Sequence, residues 1–243
     1  MCEECGCQDR NHGINQGQKT STTIPINQSV TAINDLLADQ IKQFLQEKKI
    51  LSINLMGAPG SGKTTVIEGL SHFIKPSEMA VIQGDLESDI DTVRLKKRNI
   101  ESYQINTHSG CHLNASMINK VLLQEKLINK SFLIIENVGN LVCPAGVNIG
   151  QHLNIVVSSV TEGSDKPKKY PLVFMDAHAI VLSKIDFTKL AGFDETQYIH
   201  DIKDINANIP IFKTQMKEKA SFKEIADYLI HERNHVMGVK HHH

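Results

Sequence analysis

Eight consecutive residues, from Gly57 to Thr64, constrain this chain more than any other feature of its sequence. Their run, GAPGSGKT, matches the phosphate-loop pattern G-x-x-x-x-G-K-[ST], whose glycines let the backbone wrap a phosphate so that successive N–H groups face it. The run follows an apolar segment and opens a segment of helical periodicity, which is the context that this pattern needs. The sequence therefore predicts a site that binds a nucleoside triphosphate together with Mg²⁺.

Individual residues of this loop are expected to have different tasks. Lys63 can reach the β- and γ-phosphates and support catalysis, and the Thr64 hydroxyl can ligate Mg²⁺. The loop residues predicted to bind the nucleotide are Gly57, Gly60, Ser61, Gly62, Lys63, Thr64 and Thr65.

Short apolar runs alternate with helical patterns along most of the chain. The predicted strands are 50–56, 79–83, 102–106, 132–136, 153–160, 179–183 and 210–213, and the helical patterns between them include 64–73, 89–98 and 113–127. Strands that alternate with helices predict an α/β P-loop fold, with a doubly wound, mostly parallel sheet flanked by helices.

The 243 residues fit one large domain with a short appendage. Residues 1–29 are rich in Gln, Asn, Gly, Thr and Ser, and we expect them to form a flexible, metal-binding tail. The P-loop domain is predicted to span 30–240 and to begin with an amphipathic helix from Val30 to near Lys49. Residues 241–243 are three histidines, a purification tag or a native tail.

The charge and hydropathy patterns exclude several classes of partner. A net charge of −1 gives no broad attraction to nucleic acid or to anionic membranes. No apolar run approaches the roughly 20 residues of a membrane helix, and the N-terminus lacks the basic start and apolar stretch of a signal peptide. We therefore expect a cytoplasmic protein without a nucleic-acid or membrane partner.

Two acidic residues lie at predicted strand ends, where ligands bind in open α/β sheets. Asp85 is expected to hold Mg²⁺ or to orient the attacking water, although a Gly-Asp pair is also common in surface turns. Glu136 ends an apolar strand, which is typical of a Walker-B acid that serves Mg²⁺ and catalysis. Gly139 follows, and its N–H can donate to a γ-phosphate, so a nucleotide-sensing loop is expected to begin here.

A second short motif bears on the base. The tetrad Ser183-Lys184-Ile185-Asp186 resembles the guanine-reading pattern Asn-Lys-x-Asp, with serine in the first place. Asp186 can accept two hydrogen bonds from guanine, whereas adenine would leave this carboxylate unpaired. The Lys184 stem can cover the base. K-x-D is a short string, but its position after a P-loop favours GTP and GDP over ATP.

Five cysteines fall into two groups. Cys111-His112 precedes a predicted helix, and Cys143 lies four residues beyond Gly139. Two thiolates and an imidazole suit Ni²⁺ or Zn²⁺. A metal held by Cys143 would sense the state of the γ-phosphate loop, which is a physical route to nucleotide-controlled metal transfer.

The other three cysteines lie at the N-terminus as Cys2, Cys5 and Cys7. Three thiolates within six residues can chelate one soft or borderline ion, and a nitrogen ligand would complete a square-planar site that favours Ni²⁺. The alternative is a redox C-x-x-C, but that motif normally opens a helix in a thioredoxin-like unit, which this segment does not predict.

Taken together, these motifs resemble the HypB family of hydrogenase nickel-incorporation GTPases over nearly the whole chain. The specific points are the C-x-x-C-G-C terminus, GAPGSGKT, Cys111-His112-Leu113, the run ENVGNLVCP at 136–144, and TEGSDKP at 161–167 followed by KYP at 169–171. Ser183 departs from the family pattern, as do Asn148 and Gln151, which stand where acidic residues are expected. Urease and cobalamin GTPase relatives share the nucleotide motifs but not this set.

The resemblance implies a slow GTPase that delivers nickel to the large subunit of [NiFe]-hydrogenase together with a second nickel chaperone. It also implies a homodimer in the GTP state, with Cys111, His112 and Cys143 near the dimer interface, and a tight nickel site at the N-terminus. Three alternatives remain open at this stage. They are a small-molecule kinase, a metal store with a vestigial nucleotide site, and a delivery GTPase of the urease or cobalamin type.

Overall fold

The computed structural model describes residues 26–85, 90–107, 110–125, 127 and 129–238, with the side chains of 26–29, 85 and 90 outside this description. The strands are Leu51–Met56 (β1), Met79–Asp85 (β2), Glu101–Asn106 (β3), Phe132–Glu136 (β4), Leu153–Ser159 (β5), Ala179–Ser183 (β6) and Ile211–Lys213 (β7). The α-helices are Ile26–Glu47 (α1), Lys63–Leu70 (α2), Ile90–Lys97 (α3), Ala115–Gln124 (α4), Lys166–Lys169 (α5), Pro171–Met175 (α6), Glu195–Ile205 (α7) and Lys223–Val236 (α8).

The described strands form one parallel sheet in the order β3-β2-β4-β1-β5-β6-β7. All seven predicted strands and the doubly wound α/β fold are confirmed. Every residue of β1, β4, β5 and β6 is buried, because helices cover both faces of the sheet. The chain adds strands on one side of β1 and then, from β5, on the other, so ligands are expected at the carboxyl end of β1.

Alternate residues of the central strands supply the two cores. Ile134 of β4 packs with Val66 and Leu229 in the cluster that covers α2 and α8. Its neighbour Ile135 packs with Leu45 in the cluster beneath α1 and α4. This alternation explains why the strands appear as unbroken apolar runs rather than as an in–out pattern.

Two helices begin at least two residues away from their predicted starts, and α2 and α4 each end three residues before their predicted ends. Helix α1 begins at Ile26, four residues before the expected start at Val30, and so extends into the segment predicted to be a tail. Helix α4 begins later than predicted, because the Asn114 side chain accepts the N–H of Met117 at 3.0 Å and caps the helix there. The division into a tail at 1–29 and a domain at 30–240 stays a prediction.

In the part of the chain that the structure describes, no helix combines the length and apolar character needed to cross a bilayer.

Candidate functional site

The phosphate loop connects β1 to α2 at the centre of the sheet. Gly62 caps α2 with φ 100°, a left-handed conformation that favours glycine. A Cβ at Gly57 would lie 2.4 Å from the Val157 carbonyl oxygen, so the loop can pass β5 only without a side chain there. Lys63 Nζ donates to the carbonyl oxygens of Gly57 and Ala58, at 3.1 Å each, which folds the lysine over the loop.

Glu136 lies beside this loop at the carboxyl end of β4. One carboxylate oxygen accepts the Thr64 hydroxyl at 2.7 Å, and the other accepts the Gln83 amide at 3.0 Å. Glu136 is only 7% exposed, and burial raises its pKa, while these two hydrogen bonds and the nearby Lys63 ammonium oppose the shift. A carboxylate and a hydroxyl held together in a buried position form an oxygen-rich group that fits Mg²⁺.

A cleft of about 440 Å³ opens above these groups. Its walls include the predicted residues Lys63, Thr64, Thr65, Glu136 and Gly139. Asp85 is the last residue of β2, two positions beyond the predicted strand end, and its side chain lies outside the described residues.

Two further residues of the cleft were missed by the sequence reasoning. Gln83 bonds Glu136, as described above, and its own side-chain oxygen accepts the Thr92 hydroxyl at 3.0 Å. Arg94 of α3 donates to Glu68 at 2.8 and 3.2 Å and to Asp91 at 2.8 Å. Their positions near the ends of an apolar strand and of a short helix carry no motif that would have identified them.

A second cavity of about 220 Å³ continues the cleft toward the end of β6. Lys184 lines both cavities, and Asp186 and Met216 line the second, so the tetrad lies where a base attached to the loop-bound phosphates would reach. Ser183 Oγ donates to the Ser61 carbonyl oxygen at 2.5 Å. The serine hydroxyl thus holds the phosphate loop at the wall of the base cavity.

The segment after β4 lies directly on the phosphate loop. A Cβ at Gly139 would approach Pro59 backbone atoms to 3.0 Å, and Asn140 forms an isolated β-bridge with Gly57. The close contact favours glycine at position 139, which is the position predicted to donate to a γ-phosphate. We call residues 138–140 the γ-phosphate loop.

Cys111, His112 and Cys143 come together in the folded chain. Their potential ligand atoms all lie within 4.8 Å of one another, and all three residues are half-buried. The hydrogen bond with Cys111, together with burial, raises the pKa of the Cys143 thiol. Two sulfur atoms at this separation resist losing both protons unless a cation lies between them, so the group fits a divalent metal.

Asparagine side chains shape the turns that carry these ligands. Asn140 Nδ2 donates to the Cys143 sulfur at 3.4 Å, while its Oδ1 accepts the N–H groups of Val142 and Cys143. The connection that carries Cys111 follows β3 and must pass the end of β2, because β2 lies between β3 and β4. It does so over Gly84, where a Cβ would lie 2.8 Å from the Leu113 side chain.

The remaining predictions fall outside the described residues. The structure does not describe Cys2, Cys5 and Cys7 or the histidines at 241–243. The N-terminal nickel site and the nature of the histidine tail therefore stay predictions.

Comparisons with known proteins agree with this geometry. A family model for the CobW/HypB/UreG nucleotide-binding domain matches residues 51–213. The hydrogenase/urease maturation factor HypB of Helicobacter hepaticus is 41% identical over 215 residues, which cover 87% of this chain and 88% of that protein. Its counterpart from Helicobacter pylori is 39% identical over 214 residues, or 86% of this chain and 88% of the relative.

A solved structure extends the likeness to three dimensions. The crystal structure of HypB from Helicobacter pylori in complex with nickel matches with a TM-score of 0.79 and 37% sequence identity, covering 87% of this chain and 99% of that one. With a family model across most of the sheet and relatives similar over most of their length, the chain belongs to the HypB family, within the CobW/HypB/UreG group of nucleotide-binding proteins.

Proposed function

We propose that this chain is a GTP-hydrolysing nickel metallochaperone that inserts nickel into the large subunit of [NiFe]-hydrogenase, with metal transfer gated by nucleotide state and dimerisation. One observation carries the proposal. The γ-phosphate loop runs without interruption into the turn that holds Cys143. Its last residue, Asn140, contacts the phosphate loop through its bridge to Gly57 and contacts the turn through its bond to the Cys143 sulfur.

The nucleotide half of the proposal rests on the cleft. GTP is the substrate, with its phosphates on the loop at 57–64 and its base in the cavity beside Asp186. Thr64 and Glu136, with Asp85 as a further candidate, would hold Mg²⁺, which neutralises phosphate charge when bound. Lys63 is placed to stabilise charge on the transferred phosphate, and Gly139 to donate its N–H to it.

The metal half rests on the three-ligand cluster. Nickel is the cargo, and Zn²⁺ is an alternative occupant of the same ligands. Three protein ligands leave a coordination position for a residue of a second subunit, of another nickel chaperone or of the hydrogenase precursor. The nickel complex of the Helicobacter pylori structure supports this choice of metal.

A kinase function has less support. Among the described residues, Arg94 is the arginine that lines the cleft, and Glu68 and Asp91 already bind its guanidinium. A second phosphate-binding substrate would need a free cationic group there. Release of phosphate to water, rather than its transfer to a small acceptor, is therefore the expected reaction.

Nickel titrations of the full chain test the proposal. A variant with Cys2, Cys5 and Cys7 changed to alanine isolates the Cys111, His112 and Cys143 site, and the same variant with Cys143→Ser is its control. We expect nickel affinity at the isolated site to differ by at least about fivefold between GDP and a non-hydrolysable GTP analogue. Equal affinity with both nucleotides would contradict gating and make the chain a metal store with a separate GTPase.

Urease is a second candidate client, because the Helicobacter relatives are named hydrogenase/urease maturation factors. Nickel transfer from the loaded chain to purified hydrogenase and urease precursors would separate the two. Faster transfer to the urease precursor would overturn the choice of client and leave the GTPase cycle intact.

A further inference from the structure

Three asparagines are buried at the centre of the sheet, where apolar residues are expected. Asn54 of β1 is 1% exposed, Asn154 of β5 is 3% exposed, and Asn137, which directly follows β4, is 1% exposed. None of them supplies a group to the proposed metal cluster, and Asn54 and Asn154 do not line the nucleotide cleft. Buried amides are retained in a core only when each hydrogen-bonding atom finds a partner.

These amides form one continuous chain of hydrogen bonds across three strands. Asn137 Nδ2 donates to Asn54 Oδ1 at 3.0 Å, and Asn54 Nδ2 donates to Asn154 Oδ1 at 3.0 Å. Asn154 Nδ2 donates in turn to the Asp176 carboxylate, just after α6, at 2.7 Å. We call the three asparagines and Asp176 the amide relay.

Every link of the amide relay points in the same direction. Each amide accepts on its oxygen and donates from its nitrogen, and the series ends on a carboxylate, so the bonds polarise one another. If one member rotates, its neighbours lose their partners inside the core. The members are therefore constrained to move together.

Both ends of the amide relay meet turns that carry metal ligands. Asn137 Oδ1 accepts the N–H of Leu113 at 3.1 Å, and Leu113 follows His112 directly. At the other end the Asp176 carboxylate lies near the N–H of Gly146, three residues beyond Cys143, and is stabilised by it. The turn that carries Cys111 and His112 is thus bonded to one end of the amide relay, and the turn that follows Cys143 lies against its other end.

The γ-phosphate loop joins the relay at Asn137. The same Asn137 Oδ1 also accepts the N–H of Val138 at 3.0 Å, the first residue of the γ-phosphate loop, and Asn137 itself lines the nucleotide cleft. If Val138 moves when a γ-phosphate is lost, Asn137 Oδ1 would move too, and the hydrogen bond that this oxygen accepts from Leu113 would change. Asn137 Oδ1 thus links the γ-phosphate loop directly to the turn that carries Cys111 and His112.

We propose that Asn137, Asn54 and Asn154 are positioning residues that couple the γ-phosphate loop to both metal-bearing turns. The inference deepens the proposed function and rests on it, because it assigns the route by which nucleotide state reaches the metal. A purely structural role would not need amides, since an apolar pair of similar shape can replace a buried polar pair with little loss of stability.

The test is the ratio of nickel affinities with GDP and with the GTP analogue, measured in the background that lacks the N-terminal cysteines. The variant Asn54→Leu/Asn154→Leu removes the middle of the relay, and Ser52→Ala is the matched control. Ser52 is a buried polar residue of the same strand, and its hydroxyl bonds the Gly150 carbonyl outside the relay. We expect the ratio to fall to within about twofold of unity in the double variant and to stay unchanged in the control.

The outcomes separate the two proposals. A double variant that keeps the parental ratio overturns the relay and leaves nucleotide gating intact. A ratio of one in the parent overturns gating, and the relay falls with it. GDP affinity should change by less than about threefold in the double variant, because the phosphate loop itself is untouched.

A second variant covers the case in which the double variant fails to fold. Asp176→Ala cuts the relay at its exposed end, where water can replace the lost acceptor. We expect a smaller reduction of the affinity ratio, accompanied by a loss of the nucleotide-dependent change in hydrogen exchange at the Leu113 amide. Unchanged exchange behaviour at Leu113 would overturn the relay.

Discussion

The two sites of this protein lie at the same edge of one sheet but are constructed in different ways. The nucleotide site uses one contiguous run, from Gly57 to Thr65, with backbone groups and Glu136 around it. The candidate metal site, which we call the metal cluster, brings Cys111 and Cys143 together from two turns that are 32 residues apart in the chain.

The two sites also differ in whether their ionisable side chains already have partners within the protein. Lys63 bonds two backbone carbonyls, and Glu136 bonds Thr64 and Gln83, so both charged side chains of the phosphate site are already paired within the protein. The sulfur atoms of Cys111 and Cys143 lie side by side, an arrangement that favours a bound cation. The nucleotide site is thus preorganised by its own hydrogen bonds, whereas the metal cluster depends on the turns around it.

The largest effect is expected at the preorganised site. Lys63→Ala removes the ammonium group over the phosphate loop and should lower kcat for GTP hydrolysis by about 100- to 1000-fold. Nickel affinity without nucleotide should change by less than about twofold, because no metal ligand is touched. Phosphate release assays and nickel titrations check both, with Lys223→Ala, an exposed lysine paired to Asp227, as control. A parallel loss of nickel affinity would show that the two sites are one unit.

The converse change acts on the metal cluster. In the background that lacks Cys2, Cys5 and Cys7, Cys143→Ser should weaken nickel binding by more than about 100-fold, since loss of a ligand exceeds the 10–100-fold effect typical of an outer-shell partner. GDP affinity should stay within about twofold, because the phosphate loop keeps its hydrogen bonds. Isothermal titration of each ligand measures the two affinities separately. Retained tight nickel binding would exclude Cys143 as a ligand.

Asn140 lies between the phosphate loop and the turn that carries Cys143, and its substitution tests how far the metal cluster depends on that turn. Asn140→Ala removes the donor to the Cys143 sulfur and the acceptor for two N–H groups of its turn. In the background that lacks the N-terminal cysteines, nickel affinity should therefore fall by about tenfold. Asn140→Asp keeps the acceptor and loses only the donor, and should recover part of the loss. If both variants bind nickel like the parent, the metal cluster is as preorganised as the nucleotide site.

The serine of the base tetrad should give a smaller effect. Ser183→Ala removes the hydroxyl that bonds the Ser61 carbonyl, which should weaken GDP binding by about 3- to 10-fold. Ser183→Asn offers an amide in the same place and should bind GDP at least as tightly as the parent. Nickel affinity without nucleotide should not respond to either change. Fluorescent-nucleotide displacement measures the series, and a Ser183→Ala protein with parental GDP affinity would contradict the assigned bond.

His152 is a buried histidine remote from both sites, and we expect it to influence the free energy of unfolding but not ligand binding. The His152 ring accepts the Ser52 N–H on Nδ1, and burial, followed by the charge of Lys42, lowers its pKa to about 4 from 6.5. The unfolded chain takes up a proton below pH 6.5 and the folded chain does not, so stability is full above that pH and is lost as pH falls toward 4. We expect about 2 kcal/mol less stability at pH 5 than at pH 7.5 from this group.

Urea unfolding at the two pH values measures the loss, and His152→Gln should lack this part of it. A variant with the same pH dependence as the parent would show that other groups are responsible.

Local patterns were sufficient for the secondary structure and for the nucleotide loop. All seven strands were predicted, most of them from apolar runs, and GAPGSGKT follows β1 and opens α2 as predicted. The sequence misplaced the start of α4 because the capping residue is Asn114, whereas Leu113 gives its N–H to Asn137. That contact links residues 24 positions apart, so no local pattern could reveal it.

The sequence by itself determined the alternating fold, the phosphate loop and the residue types suited to a metal. Only the tertiary structure decided that β2 lies between β3 and β4, and that Gly84 leaves room for the turn carrying Cys111 and His112 to reach Cys143. It also decided that Ser183 holds the phosphate loop and that three buried asparagines bond in series. The physical reason is that periodicity reports which face of an element is buried, whereas a site made from several strand ends depends on the order in which those strands pair.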